Sequence, residues 1–135
     1  AISEGRYINV NNFGKMKRDF TYIDDIIEGL FRCCLKPATP DIYFDKKKPD
    51  PSTSYAPHRI FNIGNSNAID LGYFIEIIEK NLKKKAKKKF CPLPKGDVIS
   101  TNADNSALYA WIGFKPSITI EEGMGKFLEW FKSYY

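Results

Sequence analysis

The stretch "RDFTYIDDIIEGLFRCCL", residues 18–35, decides how the chain is interpreted. Its first six residues are rich in aromatic and β-branched side chains, which predicts a strand. From Ile23 onward, apolar residues recur every three or four positions, so we predict a helix with one buried face that ends before Pro37. Asp24 or Asp25 is placed to cap the N-terminus of this helix.

Arg18 stands at the start of the predicted strand, where a buried strand has no need of a charge. A guanidinium group binds phosphate oxygens in a bidentate manner, which makes Arg18 a candidate ligand for an anion. The alternative is an exposed ion pair with Asp19 or Asp24. The residues alone do not decide between these two roles.

Short apolar or alternating runs predict three more strands, at "RYINVNN" (6–12), "RIFNIGN" (59–65) and "KFCPL" (89–93). Apolar periodicity and capping residues predict three more helices: one beginning near Asp70, one between Asp104 and Gly113, and one opening with Thr119 and Glu122. Residues 37–57 contain five prolines and predict a long loop.

The predicted order of elements is strand, strand, helix, loop, strand, helix, strand, helix, helix. This is an α/β composition with few short strands and about four helices, and 135 residues suffice for one domain but not for two. The order is too short for a complete doubly wound sheet, and "RIFNIGN" is typical of a strand with neighbours on both sides. Because an initiator Met is also lacking, we expect residues 1–135 to be a fragment of a longer protein.

The cysteines Cys33, Cys34 and Cys91 are odd in number and lie in no metal-binding spacing. We therefore expect reduced core or near-core thiols in a cytoplasmic protein, and no metal site. No run of 18 apolar residues is present, so we expect no membrane partner. The lone His58 has no partner for a charge relay, and we interpret it as a loop residue.

The net charge of +5 comes from one segment, since residues 83–89 hold six lysines and the remainder sums to +5 − 6 = −1. A polyanion-binding module is one interpretation of this run. A solvated helix end with its following loop is the other, and we favour it because no arginine or aromatic residue interleaves with the lysines. We accordingly expect no nucleic-acid partner.

Asp97 is a second candidate for a binding residue, because Gly96 before it permits a tight turn and a carboxylate there accepts sugar hydroxyls. An ordinary turn aspartate is the alternative. The chain has no Gly-x-Gly-x-x-Gly, no phosphate-binding loop and no nucleophile elbow. From the residues alone it is a small α/β domain with a possible anion site.

Four blocks occur in order along the chain: "MKRDFTYIDDIIEGLFRC", "STSYAPHRIFNIGNSNAIDLGYFIEIIEKNL", "PKGDVISTNAD" and "GFKPSITIEEGMGKFLEWFKSYY". Together they resemble the C-terminal part of the extended short-chain dehydrogenase/reductase family. The resemblance is greatest to the UDP-glucuronate 4-epimerases of capsule and cell-envelope sugar synthesis. UDP-glucose 4-epimerases and UDP-sugar dehydratases or decarboxylases of the same family are the alternatives.

The resemblance implies a truncated substrate-binding lobe that lacks the N-terminal Rossmann domain. That missing domain would bind NAD, which oxidises and then reduces C4 of the sugar. The catalytic Tyr-x-x-x-Lys pair of the family lies before the region given, so we expect no catalytic residue in this chain and an inactive fragment. A UDP-sugar is the implied substrate.

The resemblance also implies which residues hold that substrate. Arg18 matches the arginine that contacts the UDP diphosphate, and the backbone around Asn9 and Asn11 matches the segment that reads uracil. Asp97 matches the acidic residue near the nucleotide ribose.

The chain departs from the family pattern at three positions. Pro94 stands where the family usually has Arg or Gln, and Lys95 beside it partly compensates for the lost contact. An aromatic residue usually occupies the position of Asn11, and a tyrosine that of His58. For the whole protein we expect a homodimer, and for the fragment self-association through exposed strand edges.

Overall fold

The computed structural model describes residues 1–135. Its strands are β1 (Tyr7–Val10), β2 (Lys17–Asp19), β3 (Ala68–Asp70) and β4 (Lys87–Phe90). Its helices are α1 (Ile23–Leu35), α2 (Leu71–Leu82), α3 (Ser106–Ile112) and α4 (Ile120–Tyr134). This is the predicted α/β composition of few short strands and four helices.

The four strands form two separate two-stranded sheets. β1 pairs with β4 in parallel, with Tyr7 opposite Lys87, and β2 pairs with β3 in antiparallel orientation, with Arg18 opposite Ile69. β1, β3 and β4 each have one strand partner, whereas β2 is also hydrogen-bonded on its other side, through Lys17, to residues 99–101. The 3₁₀ turn Asn11–Gly14 follows β1 and leads towards β2.

Helix α1 has the predicted bounds, but its capping is different. Its N-cap residue is Tyr22, and no side chain caps the helix. The Asp25 carboxylate is buried and accepts hydrogen bonds from the backbone N–H groups of Ser117 and Ile118, at 2.9 and 2.8 Å. The prediction of an aspartate cap was wrong, because the Asp25 carboxylate instead binds the backbone of the segment before α4.

The prediction that α1 buries its apolar face was also wrong. Asp25 and Gly29 are the buried residues of the helix, while its apolar stripe is exposed. A Cβ atom at Gly29 would lie 3.5 Å from Ile63 and 3.6 Å from the Phe114 ring. The domain therefore packs against a small and polar side of α1.

Two of the predicted strands differ from the structure. β2 ends at Asp19, because Phe20 leaves the strand and stacks on Phe74 of α2 at a centroid distance of 4.1 Å. The "RIFNIGN" segment, residues 59–65, forms no strand and takes part only in an isolated bridge between Arg59 and Thr53. A short strand that the pattern did not predict, β3, pairs with β2 instead.

The other helices follow their predicted positions closely. α2 begins directly after Asp70, and Gly113 ends α3 in the left-handed conformation with φ +66°. The hydroxyl of Thr119 caps α4 by accepting a hydrogen bond from the N–H of Glu122. For α3 the N-cap position falls one residue later than predicted, on Asn105.

The core is small, and α2 and α4 pack against each other within it. Its buried apolar residues are Ile2, Val10, Met16, Ile75, Ile77, Leu108 and Leu128. In total 14 of 135 residues are buried, so most of the apolar side chains of this chain retain contact with solvent.

The cysteines carry free thiols, of which Cys33 and Cys91 are partly buried and Cys34 is exposed. The expectation of a core or near-core position was therefore wrong for Cys34. Burial, and secondarily the neighbouring Cys34, raises the pKa of the Cys33 thiol. No His, Cys, Asp and Glu side chains are grouped to hold a metal ion, and none of the helices is long and apolar enough to cross a bilayer.

The lysine run is partly engaged inside the protein, around the buried carboxylate of Glu79. Glu79 lies on α2 and binds the ammonium groups of Lys85 and Lys88 at 2.8 and 3.1 Å, and the N–H of Ala86 at 3.0 Å. These contacts, with Lys85 contributing most, lower the pKa of Glu79 to about 2. The run also includes most of β4, which begins at Lys87, two residues before the predicted strand.

The Glu79 cluster predicts a specific loss of stability in acid. A carboxyl group with a lowered pKa stabilises the fold above its ordinary pKa of about 4.5, and this contribution is lost as the pH falls towards about 2. The Glu79→Gln variant should therefore lose less stability than the wild type between these pH values, measured as the urea midpoint. Glu129→Gln, at an exposed position, is the control and should follow the wild type. An equally steep acid loss in Glu79→Gln would contradict the assignment.

Candidate functional site

Arg18 and Asp97, the two charged candidates from the sequence, are in direct contact. The Nη2 group of Arg18 donates to Oδ1 of Asp97 at 2.8 Å, and its Nη1 group donates to the carbonyl oxygens of Lys17 and Ile99 at 2.8 and 3.2 Å. The two side chains are 25% and 32% exposed. The ion pair with Asp19 or Asp24 that the sequence left open is therefore not formed, because Asp97 is the partner.

The turn at residues 94–97 and the segment that follows it place Asp97 beside β2. Asp97 donates its N–H to the Pro94 carbonyl at 3.2 Å, and Gly96 adopts φ +83° within this turn, a conformation that glycine reaches without strain. The chain then runs beside β2, with Lys17 donating to Ile99 at 2.9 Å and Thr101 donating to Lys17 at 3.3 Å. Residues 79 positions apart in sequence thus meet at one short strand.

The arrangement leaves some hydrogen-bonding groups of this pair without a partner in the protein. An arginine side chain has five N–H donors, and three hydrogen bonds use three of them here, so two remain. Oδ1 of Asp97 also accepts the N–H of Val98 at 2.8 Å, whereas Oδ2 makes no hydrogen bond. A fixed guanidinium with two free donors suits an anion, and the free carboxylate oxygen beside it suits a hydroxyl group.

Asp19, the residue after Arg18, anchors β2 from the other side. Its Oδ2 accepts the N–H groups of Ser66 and Ala103 at 3.0 and 2.9 Å, and its own N–H donates to the Thr101 hydroxyl at 3.1 Å. Sequence reasoning considered Asp19 only as a surface partner of Arg18. The signal that it missed is the polar run "STNADN", residues 100–105, which is too rich in short polar side chains to be a simple linker.

Asn105 completes this network at a buried position. Its side-chain oxygen accepts the N–H of Gly64 at 3.0 Å, and its amide nitrogen donates to the carbonyl of Gly64 and to the hydroxyl of Ser66. Gly64 has no space for a side chain, since a Cβ atom there would lie 2.4 Å from the Cβ atom of Ala103. The loop at Gly64 is therefore held close to β2 by side-chain hydrogen bonds and by tight contact.

The other predicted binding residues lie outside this cluster. Asn9 is exposed on β1 opposite Lys89, and Asn11 begins the 3₁₀ turn. Neither side chain makes a hydrogen bond within the protein, and neither contacts Arg18 in this way. Lys95 is exposed in the turn before Asp97 and forms no ion pair. The structure brings together Arg18 and Asp97, and it shows no contact between this pair and the side chains of Asn9, Asn11 or Lys95.

Comparison with known proteins identifies relatives of this chain. The chain is 44% identical over 135 residues to protein CapI of Staphylococcus aureus and 38% identical over 136 residues to the probable UDP-glucuronate 4-epimerase of Rhizobium meliloti. Each alignment covers 100% of this chain and 40% of the relative. The chain is homologous to a segment of the UDP-glucuronate 4-epimerases. The family resemblance of the four sequence blocks is thereby confirmed.

A solved UDP-glucuronate 4-epimerase agrees with this relationship in three dimensions. The enzyme from Bacillus cereus, in complex with UDP-glucuronic acid and NAD, matches with a TM-score of 0.74 at 25% identity, over 98% of this chain and 37% of that one. No protein-family model matches the chain. The chain thus spans about two fifths of the length of CapI and of the Rhizobium protein.

The NAD seen in that Bacillus complex does not fit the residues of this chain. A dinucleotide pyrophosphate binds where a parallel strand enters a helix through a glycine-rich turn. β1 and β4 are the one parallel strand pair, yet β1 continues into the 3₁₀ turn Asn11–Gly14 and β4 into a non-helical segment. The chain therefore has no cradle for this cofactor.

The close contact at Gly64 predicts the effect of a single methyl group. Gly64→Ala should destabilise the fold by about 1–3 kcal/mol, because the added carbon overlaps Ala103 and forces the loop away from Asp19. Gly72→Ala is the matched control, since nothing lies within 4 Å of that added carbon and alanine favours the helix by up to about 1 kcal/mol. Equilibrium unfolding in urea measures both, and equal stability of the two variants would contradict the packing described.

Proposed function

We propose that this chain is the nucleotide-sugar-binding segment of a UDP-glucuronate 4-epimerase, and that Arg18 and Asp97 hold the UDP part of the substrate. The observation that carries the proposal is their direct contact, which leaves two guanidinium donors and one carboxylate oxygen free. The relatives named as UDP-glucuronate 4-epimerases support the choice of substrate.

Arg18 would bind the diphosphate through charge-assisted hydrogen bonds. Its two bonds to backbone carbonyls and its bond to Asp97 fix the orientation of the guanidinium plane before the ligand arrives. A preorganised donor loses little side-chain entropy on binding, so more of the interaction energy is retained as affinity. Asp97 therefore has a positioning role towards Arg18 in addition to its own contact.

Asp97 would accept a ribose hydroxyl at its free oxygen Oδ2. The other oxygen is occupied by Arg18 and Val98, so the carboxylate cannot turn without breaking two hydrogen bonds. For the uracil base, β1 offers backbone groups near Asn9 and Asn11, because its edge away from β4 is unpaired. Lys95, exposed beside Asp97, would add positive charge where Pro94 supplies no side-chain contact.

The chemistry at C4 belongs, in this proposal, to the part of the longer protein outside these 135 residues. Bound NAD would supply the redox change at C4 there, and the catalytic tyrosine and lysine would lie in the same part. The role of the present chain is to hold the nucleotide so that the sugar reaches that site in one orientation. By itself the chain is expected to be inactive.

The proposed UDP contacts predict different effects for two substitutions in the full-length protein. Arg18→Gln should weaken UDP binding roughly tenfold to a hundredfold, since it removes charge-assisted hydrogen bonds worth about 1.5–3 kcal/mol. Asp97→Asn should weaken UDP binding more than it weakens pyrophosphate binding, because only UDP carries the ribose. Isothermal titration calorimetry measures these affinities.

Arg6→Gln provides the control for these titrations, because Arg6 is an exposed arginine that pairs only with Glu4. It should leave UDP affinity unchanged. Unchanged affinity in Arg18→Gln would refute the diphosphate role of Arg18. Equal losses for UDP and pyrophosphate in Asp97→Asn would restrict Asp97 to positioning Arg18.

The reaction itself is tested by supplying candidate substrates to the full-length protein. We expect inversion at C4 of UDP-glucuronate, detected as the appearance of its C4 epimer by chromatography or NMR. Turnover of UDP-glucose instead would identify a UDP-glucose 4-epimerase, and loss of water or of carbon dioxide would identify a dehydratase or decarboxylase. The 135-residue chain serves as the negative control and should show no turnover.

A further inference from the structure

We propose that the β1–β4 sheet, together with the end of α2, binds the anionic surface of a phospholipid bilayer. The contact would be made by one exposed tyrosine and four exposed lysines that form no ion pair. We call these residues the basic face: Tyr7, Lys83, Lys84, Lys87 and Lys89. Binding at this face is independent of the proposed UDP site.

Pairing in the β1–β4 sheet places the lysines of β4 alternately on two sides. Lys88 is directed inward, where its ammonium group lies 3.1 Å from the buried carboxylate of Glu79. Lys87 and Lys89, the residues on either side of it, are exposed. Lys87 lies opposite Tyr7, with its ammonium group 6.0 Å from the centre of the tyrosine ring. Because side chains alternate along a strand, Lys87, Lys89 and Tyr7 share the outer side of the sheet.

The chain between α2 and β4 adds two more lysines. Lys83 follows α2 in the left-handed conformation, with φ +52°, and is exposed. The ammonium group of Lys84 donates to the carbonyl of Ser3 at 2.7 Å and lies 3.7 Å from the Cβ position at Gly5. Gly5 precedes β1, so Lys84 lies at the end of the sheet where both parallel strands begin. The positive charges are therefore gathered at that end of the sheet and along its outer side.

The basic face has no counter-charge within the protein. Residues 80–96 contain eight lysines and no aspartate or glutamate. The carboxylate of Glu79 pairs with Lys85 and Lys88, which leaves the lysines of the basic face unpaired. Like charges at this spacing repel one another, and an anionic partner would relieve that repulsion. Burying them without counter-ions would be costly, so we expect the basic face to lie at the surface of the full-length protein as well.

A bilayer surface is the anionic partner that fits the composition of this face. Lysine carries a compact charge without the bidentate fork of arginine, and such a charge suits a diffuse layer of lipid headgroups. Tyr7 lies among the lysines, and tyrosine is favoured at membrane–water interfaces because its ring is apolar and its hydroxyl is polar. A nucleic acid fits less well, because a single strand calls for a series of stacking rings and the basic face has one.

The absence of a membrane-spanning run does not bear on this kind of contact. The sequence predicted no membrane partner because no apolar run is long enough to cross a bilayer. Clustered lysines are instead attracted to anionic headgroups from the aqueous side, over distances of about one Debye length. We therefore expect reversible binding that weakens as the salt concentration rises.

The test is co-sedimentation of the full-length protein with vesicles of phosphatidylcholine that contain about one-third phosphatidylglycerol. The protein should sediment with these vesicles at low salt and stay in the supernatant with vesicles of phosphatidylcholine alone. A variant with glutamine at three positions of the basic face, Lys83→Gln, Lys87→Gln and Lys89→Gln, should bind roughly a hundredfold more weakly, because each lysine contributes roughly fivefold. Failure of the wild type to sediment, or equal binding to both kinds of vesicle, would overturn the proposal.

The long loop offers a matched control, because it carries three consecutive exposed lysines outside the basic face. The control variant is Lys46→Gln, Lys47→Gln and Lys48→Gln. It removes the same net charge as the first variant and should bind the vesicles as the wild type does. Equal losses in the two glutamine variants would mean that net charge, rather than the basic face, causes binding, and would overturn the proposal.

A charge-conserving variant separates loss of charge from loss of structure. Lys83→Arg, Lys87→Arg and Lys89→Arg together should keep vesicle binding close to that of the wild type. A loss as large as that in the glutamine variant would overturn the proposal. So would tighter binding to RNA or duplex DNA than to the anionic vesicles at the same salt concentration, since that result identifies a nucleic acid as the partner.

Discussion

The Asp19 carboxylate is the contact on which the organisation of this chain depends. Through one side chain it joins β2 to the loop after Gly64 and to the segment that precedes α3, by hydrogen bonds to Ser66 and Ala103. Without it, the N–H groups of Ser66 and Ala103 would lose their acceptor where these two segments meet β2, which costs free energy at each group. Arg18 and Asp97 face each other because Asp19 and the backbone bonds of Lys17 fix β2 beside residues 97–101.

Polar contacts replace apolar packing in several places where a domain of this size ordinarily has a core. Asp25 binds the backbone just before α4, and Glu79 binds lysines of the lysine run. Asn105 binds the backbone of the loop at Gly64. These buried groups are satisfied by hydrogen bonds, while the apolar stripe of α1 faces solvent. The internal hydrogen bonds fix the positions of the segments relative to one another. The apolar surface that stays exposed contributes no hydrophobic stabilisation to this chain.

The sequence was informative where structure is local. The bounds of α1, the cap of α4 at Thr119 and the glycine C-cap at Gly113 follow from periodicity and side-chain chemistry within a few residues. It failed where the partner is distant in sequence or where these 135 residues supply no strand to pair with. β3 has three residues and exists because β2 pairs with it, whereas "RIFNIGN" has a strand pattern and no strand to pair with.

In the candidate site, too, the residue types could be predicted from the sequence and the distant contacts could not. Arg18 and Asp97 could each be named from residue type and resemblance, but their contact spans 79 positions and depends on a turn at Gly96 and on pairing with β2. The structural role of Asp19 was missed because an aspartate beside an arginine is usually interpreted as its ion-pair partner. The geometry reverses that assignment: Asp19 binds backbone N–H groups, Asp97 binds the arginine, and two N–H donors of the guanidinium have no partner in the protein. In the proposed UDP site, an arginine held in this way would meet the diphosphate without first releasing Asp97, so little of the interaction energy would be spent on ordering the side chain.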